Sequence, residues 1–279
     1  MRAAGAFLAT VLFALSPVSA ADSSSTYPPA PAAATVVSVY DGDTFTLETG
    51  DKVRVSGVNT PELRPLEPFG IEARDATRAV VLEKQVELVY GDVKRDSYGR
   101  LLAYVRVDGT PLEEVLVAQG LGHVFLIPPV GDLDVERLVT LQEEAKTQRL
   151  GIWSAEGYQG TLHMTSFHAN GNGDDARDPN AEYLRVCNIS PEPVNVGGYT
   201  IENSTGERFG FPELIIPAGH TVKVHSGRGV HKTDANHQLE IYLGSDRPIW
   251  NNGFDNATIY DAEGKVVDAR VHKVKSPTR

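Results

Sequence analysis

Two stretches, VYDGDTFTL at residues 39–47 and KVRVSGVNTPE at residues 52–62, decide how the front of this chain folds. Each carries β-branched and aromatic residues on either side of an irregular point. The ETGDK segment from Glu48 supplies the Gly and Asp of a tight hairpin turn between them. Working outward, β-type runs at Val36–Val39, Phe45–Leu47, Val53–Val58, Val86–Val89 and Leu101–Val107 predict five short strands. Three helices are predicted around them. Ala73, Ala76, Val80 and Val81 recur at helical spacing within Glu72–Leu82, and Leu138, Leu141 and Ala145 do so within Val135–Gln148. Between these two, Thr110 is expected to cap a helix that begins at Pro111, has Glu113 completing a capping box, and stops at Gly120. Five short strands with three helices predict an α+β domain, and five strands suffice for a closed barrel.

The texture changes on both sides of this unit. Arg2 precedes an apolar run from Ala3 to Leu15, and Val18, Ser19 and Ala20 follow in the pattern of a signal-peptidase site. Residues 1–20 are therefore expected to be a signal peptide, the protein to be secreted or held at the cell envelope, and the mature chain to have no membrane span. Residues 21–34 are rich in Ser, Pro and Ala and predict a disordered linker. Beyond Trp153, short strands alternate with Gly, Pro and Asn turns from Leu162 to His272. That alternation predicts a β-sandwich of about seven strands. The expected division is a barrel domain at 35–158 and a sandwich domain at 159–279.

A formal net charge of −11 excludes a chain that grips polyanions over a broad basic face. Any nucleic-acid site must be local, with a bound cation and a few arginines supplying positive potential. The single cysteine, Cys187, rules out an internal disulfide framework. Seven of the eight histidines lie in the sandwich region, and the near-even spacing of His220, His225, His231 and His237 predicts solvated loop and edge positions rather than a metal centre. The NGNGDDARD stretch from Asn170 lacks the glycine and the bidentate acid that an EF-hand loop requires.

Three short motifs carry chemistry: Asp41-Gly42-Asp43-Thr44, Arg54 with the GVNTPE segment ending at Glu62, and Tyr98-Gly99-Arg100. Taken alone, the first reads as a hairpin turn. Taken together at strand ends, the three meet the needs of phosphodiester hydrolysis, which requires a positioned water, a cation, and donors for the phosphoryl oxygens. Asp43 and Asp41 offer hard carboxylates, while Asn59 and the Thr60 carbonyl offer neutral oxygens. Oxygen-only ligation favours calcium or magnesium over zinc. Glu62 stands where a general base would be useful, and Arg54 and Arg100 can each donate paired hydrogen bonds to phosphate. Tyr98 is a candidate stacking surface for a base.

These motifs, with RDSYGRLLAYV, LEEVLVAQGLGHV and the closing LQEEAKTQRLGIWS, resemble the thermonuclease, or staphylococcal nuclease, family over residues 35 to about 157. The resemblance implies an OB-fold barrel, a calcium ion, attack of water at phosphorus in DNA or RNA, and products ending in a 3′-phosphate. It implies calcium at Asp43, phosphate at Arg54 and Arg100, and a base at Glu62. Three departures stand out. Asn59 replaces a calcium-binding aspartate, Ser97 a lysine, and Leu126 a tyrosine. The first predicts weaker calcium affinity or a changed metal preference. A catalytically inactive barrel that binds nucleic acid or a surface is the alternative, and the presence of Asp43, Arg54, Glu62 and Arg100 favours activity.

In the second region, NAEYLRVCNIS, VNVGGYTIEN, FPELIIPAGHTVKVHSG and IWNNGFDNATIYDAEGKVVDA resemble the lamin-tail domain, an immunoglobulin-like sandwich. Trp250 is expected in its core. The resemblance implies accessory work such as nucleic-acid or cell-surface attachment, and the chain is expected to be a monomer.

Overall fold

Apolar and polar residues alternate along the front strands, and each strand buries one face. In β6 (Leu101–Val107), Leu101, Ala103, Val105 and Val107 are buried while Leu102, Tyr104 and Arg106 point outward. The computed structural model describes residues 27–170 and 177–273. The expected signal peptide and most of the NGNGDDARD stretch lie outside the described residues. The front unit consists of β1 (Ala33–Val39), β2 (Thr44–Leu47), β3 (Lys52–Val55), β4 (Gly57–Asn59), α1 (Gly70–Val81), β5 (Gln85–Val89), β6, β7 (Thr110–Pro111), α2 (Leu112–Ala118), β8 (His123–Phe125) and α3 (Val135–Thr147). Strands run in the order β3-β2-β1-β5-β6, and a parallel pairing of β3 with β6 closes the five into a barrel. Its interior holds Val36, Phe45, Val53, Val55, Leu101 and Val105, all fully buried. Each such side chain contributes about 1.5–3 kcal/mol on burial.

Four features differ from the sequence reading. The run Val53–Val58 is two strands, because Gly57 at φ 85° turns the chain after Ser56. Glycine alone takes that backbone conformation without strain. Thr110 does not cap α2: it pairs in β7, Pro111 holds the N-cap position, and no side-chain cap bond forms. Glu113 is instead buried, and that burial pushes its carboxyl up to about 7. The linker expected at 21–34 is partly structured. Its last two residues open β1, the Pro31 carbonyl accepts the Tyr90 hydroxyl at 2.6 Å, and the Arg95 guanidinium lies over the Tyr27 ring at 4.7 Å.

The second unit has β9 (Leu162–His168), β10 (Tyr183–Asn188), β11 (Val194–Asn195), β12 (Thr200–Glu202), β13 (Arg208–Gly210), β14 (Ile215–Ile216), β15 (Thr221–His225), β16 (Leu239–Tyr242), β17 (Phe254–Tyr260) and β18 (Val266–Lys273). Two four-stranded sheets, β16-β15-β10-β9 and β13-β12-β17-β18, face each other over a shared apolar core, the immunoglobulin-like sandwich expected. Trp250 lies in that core, edge-on to Phe167 at 4.9 Å between ring centres. The histidines are less solvated than expected. His231 and His237 are exposed, whereas His225 and His163 are buried.

The two units share a continuous interface. Leu126, just past β8, donates its amide to the Gly219 carbonyl at 2.8 Å and accepts the Thr221 amide at 3.1 Å. Buried Gln142 of α3 accepts the Val124 amide at 2.8 Å and donates to the Ile189 carbonyl at 3.1 Å. Trp153, Tyr158, Cys187 and Ile189 close over one another beside these bonds. Among the described residues no helix is long and apolar enough to cross a membrane.

The buried Glu113 makes stability pH-dependent. Its carboxyl titrates near 4.5 when unfolded and about 7 when folded, so the folded chain holds the proton in between. The stability it contributes is complete below pH 4.5 and is lost as pH rises through 7. Glu113→Gln is predicted to gain roughly 5 °C in Tm over the parent at pH 8, compared with their difference at pH 4.5. Thermal melts of both proteins across this range check it, and curves that stay parallel would refute it.

Candidate active site

Asp41 and Asp43 sit in the bend between β1 and β2, which the Tyr40 amide closes onto the Thr44 carbonyl at 2.8 Å. The bend is pressed against α1. A Cβ on Gly42 would stand 2.7 Å from the Thr60 side chain and 2.8 Å from that of Ala73, so only glycine fits. Thr77 of α1 donates its hydroxyl to the Gly42 carbonyl at 2.6 Å and holds the bend in place. The Asp43 carboxylate is buried and accepts from four groups. These are the Thr60 amide at 2.9 Å, the Thr60 hydroxyl at 3.0 Å, the Thr44 hydroxyl at 3.1 Å and, as an ion pair, Arg54 Nε at 3.2 Å. Asp43 thereby ties three chain segments to one point.

Arg54 stitches the chain break after β3. One terminal nitrogen donates to the Val55 carbonyl and, at 2.8 Å, to the Val58 carbonyl; the other donates to Asn59 Oδ1 at 3.0 Å. Its guanidinium also lies 5.6 Å from the centre of the Phe125 ring. Asn59 thus turns its oxygen toward Arg54, and the hydroxyl and amide of Thr60 turn toward Asp43. The Thr60 carbonyl, the donor expected from the sequence, lies 3.5 Å from Asn59 Nδ2.

Three acids share a small volume. Burial, then the charges of Asp43 and Glu62, push the Asp41 carboxyl up to about 7. Burial, then Asp43 and Glu67, push Glu62 above the ordinary glutamate range, while Arg54 and Arg270 pull it back. Glu67 is also structural here: one of its oxygens accepts the Glu62 amide at 2.9 Å, and the other takes an ion pair from Arg270 of β18 at 2.8 Å. The back domain therefore grips the loop that carries Glu62.

On the far side, Asp96 accepts the amides of Tyr98 and Arg100 at 2.9 Å each and holds Arg100 Nε at 2.7 Å. This presents Tyr98, which is exposed, and sets the Arg100 guanidinium 5.7 Å from the centre of its ring. Asp41, Asp43, Arg54, Asn59, Glu62, Tyr98 and Arg100 all line one cleft of about 830 Å³. Thr60 sits behind it, bonded to Asp43. Residues of β9 and β10, including His168 and Tyr183, form part of the same wall.

The donor chemistry fits a hard divalent cation. Asp41 and Asp43 are buried carboxylates crowded by Glu62, and a cation beside them would relieve their repulsion. Among the described residues no three His, Cys, Asp or Glu side chains are grouped so as to hold a metal ion. An open site held by two carboxylates, with water and substrate oxygens completing it, is what the donors allow.

Glu67, Arg270 and the β9–β10 wall were missed by sequence reasoning. Glu67 lies five residues from Glu62 in a Pro-flanked loop, and an acid so near a candidate base could have been noted. Nothing local marks Arg270, which lies 203 residues from its partner. Leu126, at the position where a stacking tyrosine was expected, is buried in the domain interface and offers no stacking surface.

Fold and site together describe a barrel of the nuclease type with its acids and arginines gathered at one mouth. The family described as Staphylococcal nuclease homologue matches residues 52–155, and the Lamin Tail Domain family matches residues 156–274. The thermonuclease of Staphylococcus hyicus is 34% identical over 126 residues, covering 43% of this chain and 74% of that protein. Two Bacillus subtilis proteins, endonuclease YncB and SPbeta prophage-derived endonuclease YokF, are 36% and 35% identical over 127 residues, each match covering 42% of this chain. The chain spans only 60% of the first and 43% of the second. This chain belongs to the staphylococcal nuclease family and carries a lamin-tail domain behind the barrel.

The grip on the Glu62 loop is open to test by hydrogen exchange. In Glu67→Ala the Glu62 amide loses its acceptor and is predicted to exchange more than about tenfold faster, while amides of β6 keep their protection. Unchanged exchange at Glu62 would refute the contact.

Proposed function

We propose that this protein is an exported, calcium-dependent nuclease that hydrolyses phosphodiester bonds in DNA and/or RNA and leaves 3′-phosphate ends. The observation that carries this reading is the convergence of Asp41, Asp43, Glu62, Arg54 and Arg100 on one cleft. Arg100, presented at the cleft wall by Asp96, donates to the phosphate, and Arg54, paired with Asp43, lines the same cleft. Glu62, its proton affinity raised by burial and by Asp43, takes a proton from water. The water oxygen bonds to phosphorus, the P–O5′ bond breaks, and the 5′-oxygen leaves as a hydroxyl after taking a proton from solvent water. Asp41 and Asp43 would hold the cation, which when bound polarises a non-bridging phosphoryl oxygen.

Relatives named thermonuclease and endonuclease support the activity, and oxygen-only donors support calcium over zinc. The Arg2-to-Ala20 pattern supports export, to the medium or the cell envelope. A barrel that binds nucleic acid without cutting it is the second reading, favoured by the extent to which Arg54 is occupied by its own chain.

Purified protein should cleave denatured DNA and RNA in calcium and not in chelator. Glu62→Gln should lower turnover by about 10²–10⁴-fold with an unchanged circular dichroism spectrum. Products should resist 3′ extension until treated with a phosphatase. Folded protein that cleaves nothing in calcium or magnesium would transfer the reading to the binding module.

A further inference from the structure

The wall that the back domain lends to the cleft has a pattern of its own. On the outer face of the sheet β9-β10-β15-β16, the pairing register sets His168, Tyr183, His225 and Tyr242 side by side in one row across four strands. The next row holds Ser166, Arg185, Lys223 and Glu240. In the first row His168 and Tyr183 stack at 4.3 Å, as do His225 and Tyr242 at 4.7 Å. Lys223 stands 4.0 Å over the Tyr183 ring, and Arg185 is held in place by Thr221 and Gln238. Burial and then the neighbouring cations Lys223 and Arg185 lower the proton affinity of His168, while Glu240 at the far end of the second row is paired with Lys232 and lies 3.4 Å from His225.

The patch adjoins the catalytic cleft. His168, Tyr183 and Arg185 line it together with Tyr98 and Arg100, and burial followed by the nearby Tyr98 phenol raises the proton affinity of Tyr183. Two His–Tyr ring pairs lie beside two cations, Arg185 and Lys223, with Glu240 at the far end of the row, and an unpaired strand can meet such a surface with bases against the rings and phosphates on the charges. A cleft of about 830 Å³ suits one or two nucleotides of a single strand.

We propose that this sheet face of the lamin-tail domain is a single-stranded nucleic-acid platform that extends the active site, so that the back domain is part of the substrate groove rather than a tether. The proposal rests on the nuclease reading for the cleft but is tested apart from it. A fluorescein-labelled single-stranded 12-mer is titrated by anisotropy in calcium against Glu62→Gln protein, alone or with Tyr183→Ala, Tyr183→Leu or Lys223→Glu added. Arg208→Ala, on the opposite sheet, is the control. Each change in the patch should weaken binding about tenfold, the control should not, and an unlabelled duplex should compete poorly. In the cleaving protein the same changes should act mainly through KM.

Folded patch variants that bind like their parent, a parent that does not bind the strand, or a duplex that competes equally would each overturn the proposal. Patch-dependent binding by a protein that never cleaves would sink the nuclease reading and leave the platform standing. Cleavage with patch-independent binding would do the reverse.

Discussion

The carboxylate of Asp43 is the constraint on which the site depends. It is buried, so its charge needs donors, and it takes them from β2, β3 and the loop after β4 at once. Removing one partner of a buried ion pair costs about 3–5 kcal/mol, because the other charge is left without compensation. The position of Arg54, the path of the chain through Gly57 and the setting of Thr60 all follow from this single acceptor. Gly42 matters for the same reason, since any side chain there would push the bend away from Thr60 and Ala73.

The back domain enters the chemistry through contacts, not proximity alone. Arg270 holds Glu67, Glu67 holds the amide of Glu62, and Gln142 ties β8 to Ile189. The acids of the barrel collect in one cleft, and β9 and β10 supply Thr165, Ser166, His168, Tyr183 and Arg185 to its wall. The acidic composition is consistent with this arrangement. Arg54, Arg100 and Arg185 line the cleft, with Lys223 beside Arg185 on the adjoining strand.

Much of the barrel was legible because its signals are local. Alternation along Leu101–Val107, the turn at Gly50 and the three motifs each occupy a few consecutive residues, and the resemblance joined them. The errors share a cause in tertiary structure. Thr110 had the residue type and spacing of a cap, but pairing with Val107 drew it into a strand. The linker was read from composition, which could not register single contacts such as Tyr90 to Pro31. The bond from Arg54 to the Asn59 side-chain oxygen, and those from the Thr60 amide and hydroxyl to Asp43, depend on tertiary neighbours that spacing does not encode. The row of His168, Tyr183, His225 and Tyr242 became visible only when strand register aligned them.

Where substrate and cation lie relative to Asp43 decides whether this cleft is an active site. The most direct measurement is a crystal structure with calcium and a phosphorothioate trinucleotide. It should place the ion against Asp41 and Asp43, a phosphate on Arg100 within reach of Glu62, and a base beside Tyr183. An ion bound elsewhere, or a trinucleotide lying outside the cleft, would contradict the account.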